Sequence, residues 1–127
     1  MPIETIDNPP YYKIIAAAEV VKTKAYKARV TQTGTNAPVA TVFENTLGTT
    51  GVWTRVGVGS YELNLGQSVG GFAKMWLTLI INVGDLQVSG RIDRFTDTKY
   101  ALQTFYSGIN ADGMLDNHGY VELIMYP

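Results

Sequence analysis

The chain's only histidine, His118, stands in Asp112-Gly113-Met114-Leu115-Asp116-Asn117-His118-Gly119, a stretch in which two carboxylates and an imidazole come close together. Such a set could serve as a general base or a metal loop, but its spacing fits neither. An EF-hand places acids at alternate positions and a glutamate at the twelfth, and zinc needs more nitrogen or sulfur ligands than one histidine supplies. The stretch reads as a solvent-facing turn before the last strand. Asp93 and Asp97 flank Arg94, Phe95 and Thr96, and paired carboxylates hydrolyse glycosides. A side-chain oxygen of Asp97 can instead cap a hairpin turn, which accounts for it without catalysis. Arg55, Arg91 and Arg94 then read as surface or subunit-contact residues. The glycine-rich segments 57–59 and 66–71 lack the Lys-Ser/Thr ending and the following helix of a phosphate loop. The expectation is therefore no enzyme, no catalytic residue, no cofactor and no metal.

Aromatic side chains offer a different chemistry, because their faces bind sugars and protein partners while a polar edge stays wet. Among the eight tyrosines and two tryptophans, Tyr61, Tyr100, Tyr106, Tyr120 and Tyr126 fall on strand-like segments at period two and are expected mostly in the core. Trp53 is the first candidate for an exposed ligand surface, with the 66–71 loop beside it.

The elements that hold these residues follow from periodicity. Asn8-Pro9-Pro10 is a favourable helix start, since Asn accepts a bond from a free amide and proline at the first helical position gives up no needed donor. Over residues 11–22, Tyr11, Ile14, Ile15, Ala18 and Val21 recur on one helical stripe. That stripe needs a partner, either the domain's own sheet or the same helix in a neighbouring subunit, and is the candidate assembly interface. From Thr23 the pattern changes to short period-two runs separated by Gly, Asn, Asp, Pro and Thr. Eight strands are expected, at 25–32, 39–45, 52–58, 60–65, 74–82, 86–95, 99–106 and 120–126. In the third, Val52, Thr54, Val56 and Val58 share one face; the fifth is apolar on both faces, which suits a central strand. The reading is mainly β: residues 1–24 an extension with one helix, residues 25–127 a single antiparallel β-sandwich, jelly-roll or immunoglobulin-like.

Length and composition agree with one folded domain: 127 residues suffice for one core. With 46% apolar and 17% charged residues the chain is not of the disordered class. A net charge of -1 gives no electrostatic reason to bind nucleic acid, and Lys22, Lys24, Lys27 and Arg29 read as a solvated face. The absence of cysteine excludes disulfides and thiolate chemistry and fits assembly in a reducing cytoplasm. No secretory leader is expected at the start of the chain. The apolar run at 75–83 is far shorter than the roughly 18 residues of a spanning helix, so no membrane partner is expected.

Two stretches carry a resemblance. Tyr26-Lys27, then Gln32-Thr33-Gly34-Thr35-Asn36-Ala37-Pro38, then Glu44-Asn45-Thr46-Leu47-Gly48 is followed by Val52-Trp53-Thr54-Arg55, and the chain closes on Tyr126-Pro127. This resembles small β-rich virion-associated proteins of Bacteroidetes phages, including crAss-like and flavobacterial phages, over residues 25–127. The resemblance implies a virion structural protein assembled in the host bacterial cytoplasm: capsid decoration, head fibre or tail appendage. Its partners would be other virion proteins and copies of itself, with a trimer favoured, and no site residue comes with it. The alternative reading is a carbohydrate- or host-receptor-binding module that meets a surface glycan.

Overall fold

A computed structural model describes residues 23–69, 75–81, 84–116 and 119–126. The helix expected at 11–22, with Tyr11, Ile14, Ile15, Ala18 and Val21, lies outside the described residues, as does His118. Within them the chain forms nine strands: β1 (Lys24–Thr31), β2 (Val39–Asn45), β3 (Val52–Gly57), β4 (Ser60–Asn64), β5 (Met75–Ile81), β6 (Val88–Arg94), β7 (Lys99–Tyr106), β8 (Ile109–Asn110) and β9 (Gly119–Met125). They make two antiparallel sheets, in the orders β2-β1-β9-β5 and β3-β4-β7-β6, with β8 paired to β7.

Alternation of side chains across each strand builds the core. From the first sheet Tyr26, Ala28, Val30, Val121 and Leu123 point inward; from the second, Tyr61, Leu63, Tyr100 and Leu102 meet them. Leu47, Leu65 and Leu115, from the connecting segments, complete this one buried cluster. Leu79 and Ile81 of β5 lie directly over Gly90 of β6, where a Cβ would come within 2.7 Å of Ile81 Cδ1. The missing side chain is what lets the two sheets close on each other there. Among the described residues no helix is long and apolar enough to cross a membrane.

The structure departs from the sequence reading in four places. A short strand, β8, lies between the strands expected at 99–106 and 120–126, where none is expected. The fifth strand is not central: β5 stands at the edge of its sheet, and its outward residues Trp76 (61% exposed) and Ile80 are open to solvent. The face of β3 that carries Val52, Thr54 and Val56 is the outer one, while Trp53 and Arg55 turn to the core side. Pairing explains this reversal, because Trp53 lies opposite Leu63 and Arg55 opposite Tyr61, and directly paired residues share a face. Finally, the strand order is neither of the two expected sandwich topologies. An immunoglobulin sheet runs ABED, with its first strand at the edge, whereas β1 is internal. The in-sheet hairpins β1–β2, β3–β4 and β6–β7 also break the sheet-to-sheet alternation of a jelly roll.

Candidate functional site

Two polar constellations stand out, one enclosed and one open. The enclosed one gathers on Asp112. Its carboxylate accepts from Arg55 Nη2 at 2.8 Å, from the Gly59 amide at 2.9 Å and from the Tyr61 hydroxyl at 2.6 Å. The Tyr61 hydroxyl also lies 2.8 Å from Gln32 Oε1, which takes the Gly113 amide at 2.7 Å. The other end of Gln32 donates to the carbonyls of Gly34 and Asn36 at 2.8 and 3.0 Å, and this fixes which way its amide points. The end of β1, the β3–β4 hairpin and the segment before β9 are thereby tied at one point.

Each member is placed by alternation. Gln32 continues the inward row Tyr26, Ala28, Val30; Arg55 and Tyr61 face each other across the hairpin. The Arg55 guanidinium, with the Tyr61 hydroxyl and the Gly59 amide, holds the Asp112 carboxyl down at about 2. Burial, reinforced by the neighbouring carboxylate, pushes the Tyr61 phenol well above its ordinary range. At neutral pH the acid is ionised with its lone pairs engaged and the phenol keeps its proton, so neither group is poised for proton transfer. This constellation is a clasp. Arg55 is thus an internal ion-pair partner, contrary to its reading as a surface or subunit-contact residue.

The open constellation is a groove of about 320 Å³ on the outer face of the second sheet. Register makes its floor: Ser60, Gln103 and Arg91 form one row across β4, β7 and β6, and Glu62, Ala101 and Asp93 form the next. The small Ala101 between two carboxylates leaves the depression. Val56 and Phe95, both well exposed, stand at its rim. Arg91 Nε lies 3.0 Å from Asp93, Lys99 Nζ 3.5 Å from Glu62, and Arg94 Nη2 2.9 Å from Asp97. The Arg91–Asp93 pair is exposed at both ends and contributes little to stability, so its groups can exchange partners for a ligand at small cost. The Arg94 side chain, by contrast, is largely buried, contrary to its reading as a surface or subunit-contact residue. Asp97 takes Arg94, while the turn is capped by the Thr96 hydroxyl, which accepts from the Thr98 and Lys99 amides, in place of the Asp97 cap expected from the sequence; Asp93 faces the groove.

Trp53, the aromatic singled out for a ligand surface, packs against the core and donates its indole N–H to the Tyr26 hydroxyl at 3.1 Å. It offers an edge rather than an open face. The loop after β4 contains Gly66-Gln67-Ser68-Val69-Gly70, which spells a nucleophile elbow. That motif works with a histidine base, and the chain's single histidine, His118, lies outside the described residues, as do residues 70–74. Among the described residues no group of three His, Cys, Asp or Glu side chains gathers to hold a metal.

No protein-family model, curated protein or solved structure matches this chain.

Proposed function

We propose that the chain is a structural subunit of a phage particle, acting by assembly as a capsid decoration, head fibre or tail appendage component. The observation that carries assembly is the bare apolar surface of the successive edge strands β2 and β3, where Val39, Phe43, Val52 and Val56 are each more than 60% exposed. In both strands a register shift adds a residue without a direct partner, Phe43 in β2 and Val56 in β3. Free edges are normally protected by charge, proline or bulges, and these two have a bulge but little charge. Here β2 carries only Glu44, and the one charge of β3, Arg55, is drawn inward by Asp112. Such edges suit a neighbouring subunit. The phage setting is supported by the sequence resemblance over residues 25–127.

Light scattering over a range of concentrations tests assembly. The native mass is expected to exceed the 13.9 kDa of one chain, with a trimer favoured, and Val42→Lys/Phe43→Lys should return it to a monomer with its circular dichroism unchanged. A monomer at every concentration would remove the case for self-assembly.

The groove supports a second reading, a glycan-binding surface. Planar carboxylate, amide and guanidinium groups from Glu62, Asp93, Gln103 and Arg91 present paired donors and acceptors to vicinal hydroxyls. Val56 and Phe95 add apolar contacts for sugar C–H faces. On an array of bacterial surface glycans and mucin oligosaccharides, binding should weaken at least tenfold in Glu62→Ala/Arg91→Ala and stay intact in Trp53→Phe. The reverse pattern would return the ligand surface to Trp53.

A further inference from the structure

We propose that the outer face of the first sheet is a stacking platform for a neutral, extended oligosaccharide, with Trp76 and Tyr120 as its two ring contacts. It lies on the opposite sheet from the groove and rests neither on the glycan reading of that groove nor on the phage setting.

The platform follows from register. Alternation turns Trp76, Thr78 and Ile80 of β5 and Tyr120, Glu122 and Ile124 of β9 to one face. Pairing sets Trp76 opposite Ile124, Thr78 opposite Glu122 and Ile80 opposite Tyr120. The two aromatic side chains therefore start on either side of the Thr78–Glu122 row, their Cα atoms about 14 Å apart from strand rise and spacing. Side chains on strands ordinarily stand up from the sheet, but each ring here is tied down by its own polar edge. The Trp76 indole N–H donates to Thr78 Oγ1 at 3.0 Å, and the Tyr120 hydroxyl donates to Glu122 Oε2 at 2.8 Å. Because the strands run antiparallel, these two bonds lean the rings toward each other along the sheet. Trp76 stays 61% exposed, so with its edge engaged it presents a ring face to solvent.

The groups around the rings say what fits. Thr78, whose oxygen accepts from Trp76, keeps its own proton to donate, and Glu122 has a second carboxylate oxygen. Lys27 continues the polar row beside Glu122, and Arg29 adjoins Tyr120. Lys27 in turn lies 3.6 Å from Glu44, so the cations Lys27 and Arg29 are balanced by Glu44 and Glu122, which favours an uncharged ligand over an acidic one. Stacking on a ring face while hydroxyls meet nearby donors and acceptors is how an aromatic surface holds a sugar. A protein partner fits less well, since interface cores are depleted of charge and closing one over this row would desolvate Glu122 and Lys27. A platform of this length, flat rather than enclosed, suits several linked sugar rings rather than one.

The test is to titrate cellohexaose, N-acetylchitohexaose and mannohexaose into the full-length protein, followed by calorimetry and tryptophan fluorescence. At least one is expected to bind, with a blue shift of the emission and weaker acrylamide quenching. Trp76→Ala and Tyr120→Ala should each weaken that binding at least about tenfold. Thr78→Val, which keeps the indole but removes its anchor, should weaken it about threefold, with far-UV circular dichroism unchanged in all three. Should Trp76→Ala fail to fold, Trp76→Leu removes the ring while keeping bulk at the same position. No binding of any of the three hexasaccharides would overturn the proposal, as would binding that survives loss of the Trp76 ring. Loss in Glu62→Ala/Arg91→Ala with normal binding in Trp76→Ala would assign the sugar to the groove instead. Shielding of Trp76 that grows with protein concentration in the absence of sugar would overturn the platform too, by giving the face to a second copy.

Discussion

Gly59→Ala is expected to destabilise the protein by at least about 3 kcal/mol and to lower its melting temperature by about 10 °C. Gly59 turns the chain from β3 into β4 with φ at +60°, and a Cβ there would lie 2.5 Å from the Ala111 nitrogen, 2.6 Å from the Thr104 carbonyl oxygen and 2.8 Å from the Ala111 carbonyl oxygen. All three are backbone atoms already committed to bonds. Ala111 N donates to Thr104 O at 3.0 Å, Thr104 N donates to Gly59 O at 2.9 Å, and the Thr104 hydroxyl donates to Ala111 O at 2.7 Å. None can swing aside as a side-chain tip would, so an alanine must part β7 from the segment after β8 and pull the Gly59 amide off Asp112. The dihedral alone costs about 1 kcal/mol, and Gly108→Ala isolates that part, because Gly108 has φ at +80° and nothing within 4 Å of its Cβ position. Urea unfolding of the two variants side by side separates the contributions. If Gly59→Ala is no worse than Gly108→Ala, the close approach at Thr104 and Ala111 is not what holds this corner.

The same corner shows how far a sequence can be read. The β-rich class and nearly all strand positions are legible, since period-two runs broken by Gly, Asn and Asp have few other solutions. Alternation divides a strand into two faces without saying which is inside. The valines of β3 look like the buried face, and only pairing to the inward Tyr61 and Leu63 turns them out. β5 is misplaced for a related reason: apolar residues on both faces fit a central strand, but they fit equally an edge strand whose second face is covered by something other than a sheet. The clasp is illegible because it is non-local. Asp112 meets Arg55 across 57 positions and Gly59 across 53, and nothing in Asp112-Gly113 differs from an ordinary turn. One signal was available: Arg55 shares a face with Trp53, and a charge on a core-facing row requires a counter-charge from elsewhere in the chain. The groove is equally non-local, since its floor joins residues of three strands that become neighbours only through register.

The clasp also predicts how stability depends on pH. Asp112 is held at about 2 in the folded protein, against an ordinary value of 3.8, and a difference of that size corresponds to about 2 kcal/mol. Because the folded value is the lower one, the unfolded chain takes up this proton first as the solution is acidified. The contribution is therefore complete above about pH 5 and is lost progressively as pH falls through 4 toward 2. Urea unfolding at pH 6 and pH 2.5 should show the wild type losing about 1.5 kcal/mol more than Asp112→Asn over this window, with the remainder lost below it. That variant should start about 2 kcal/mol less stable at pH 6, having given up the charge that Arg55 and Tyr61 meet. Other carboxylates titrate over the same range in both proteins and cancel in the comparison. Parallel profiles would mean that Asp112 titrates normally in the folded state, and that the short contacts to Arg55, Gly59 and Tyr61 contribute no net charge stabilisation in solution. A converging pair would assign that part of the domain's acid sensitivity to one carboxylate, at the joint between β1, the β3–β4 hairpin and the segment before β9.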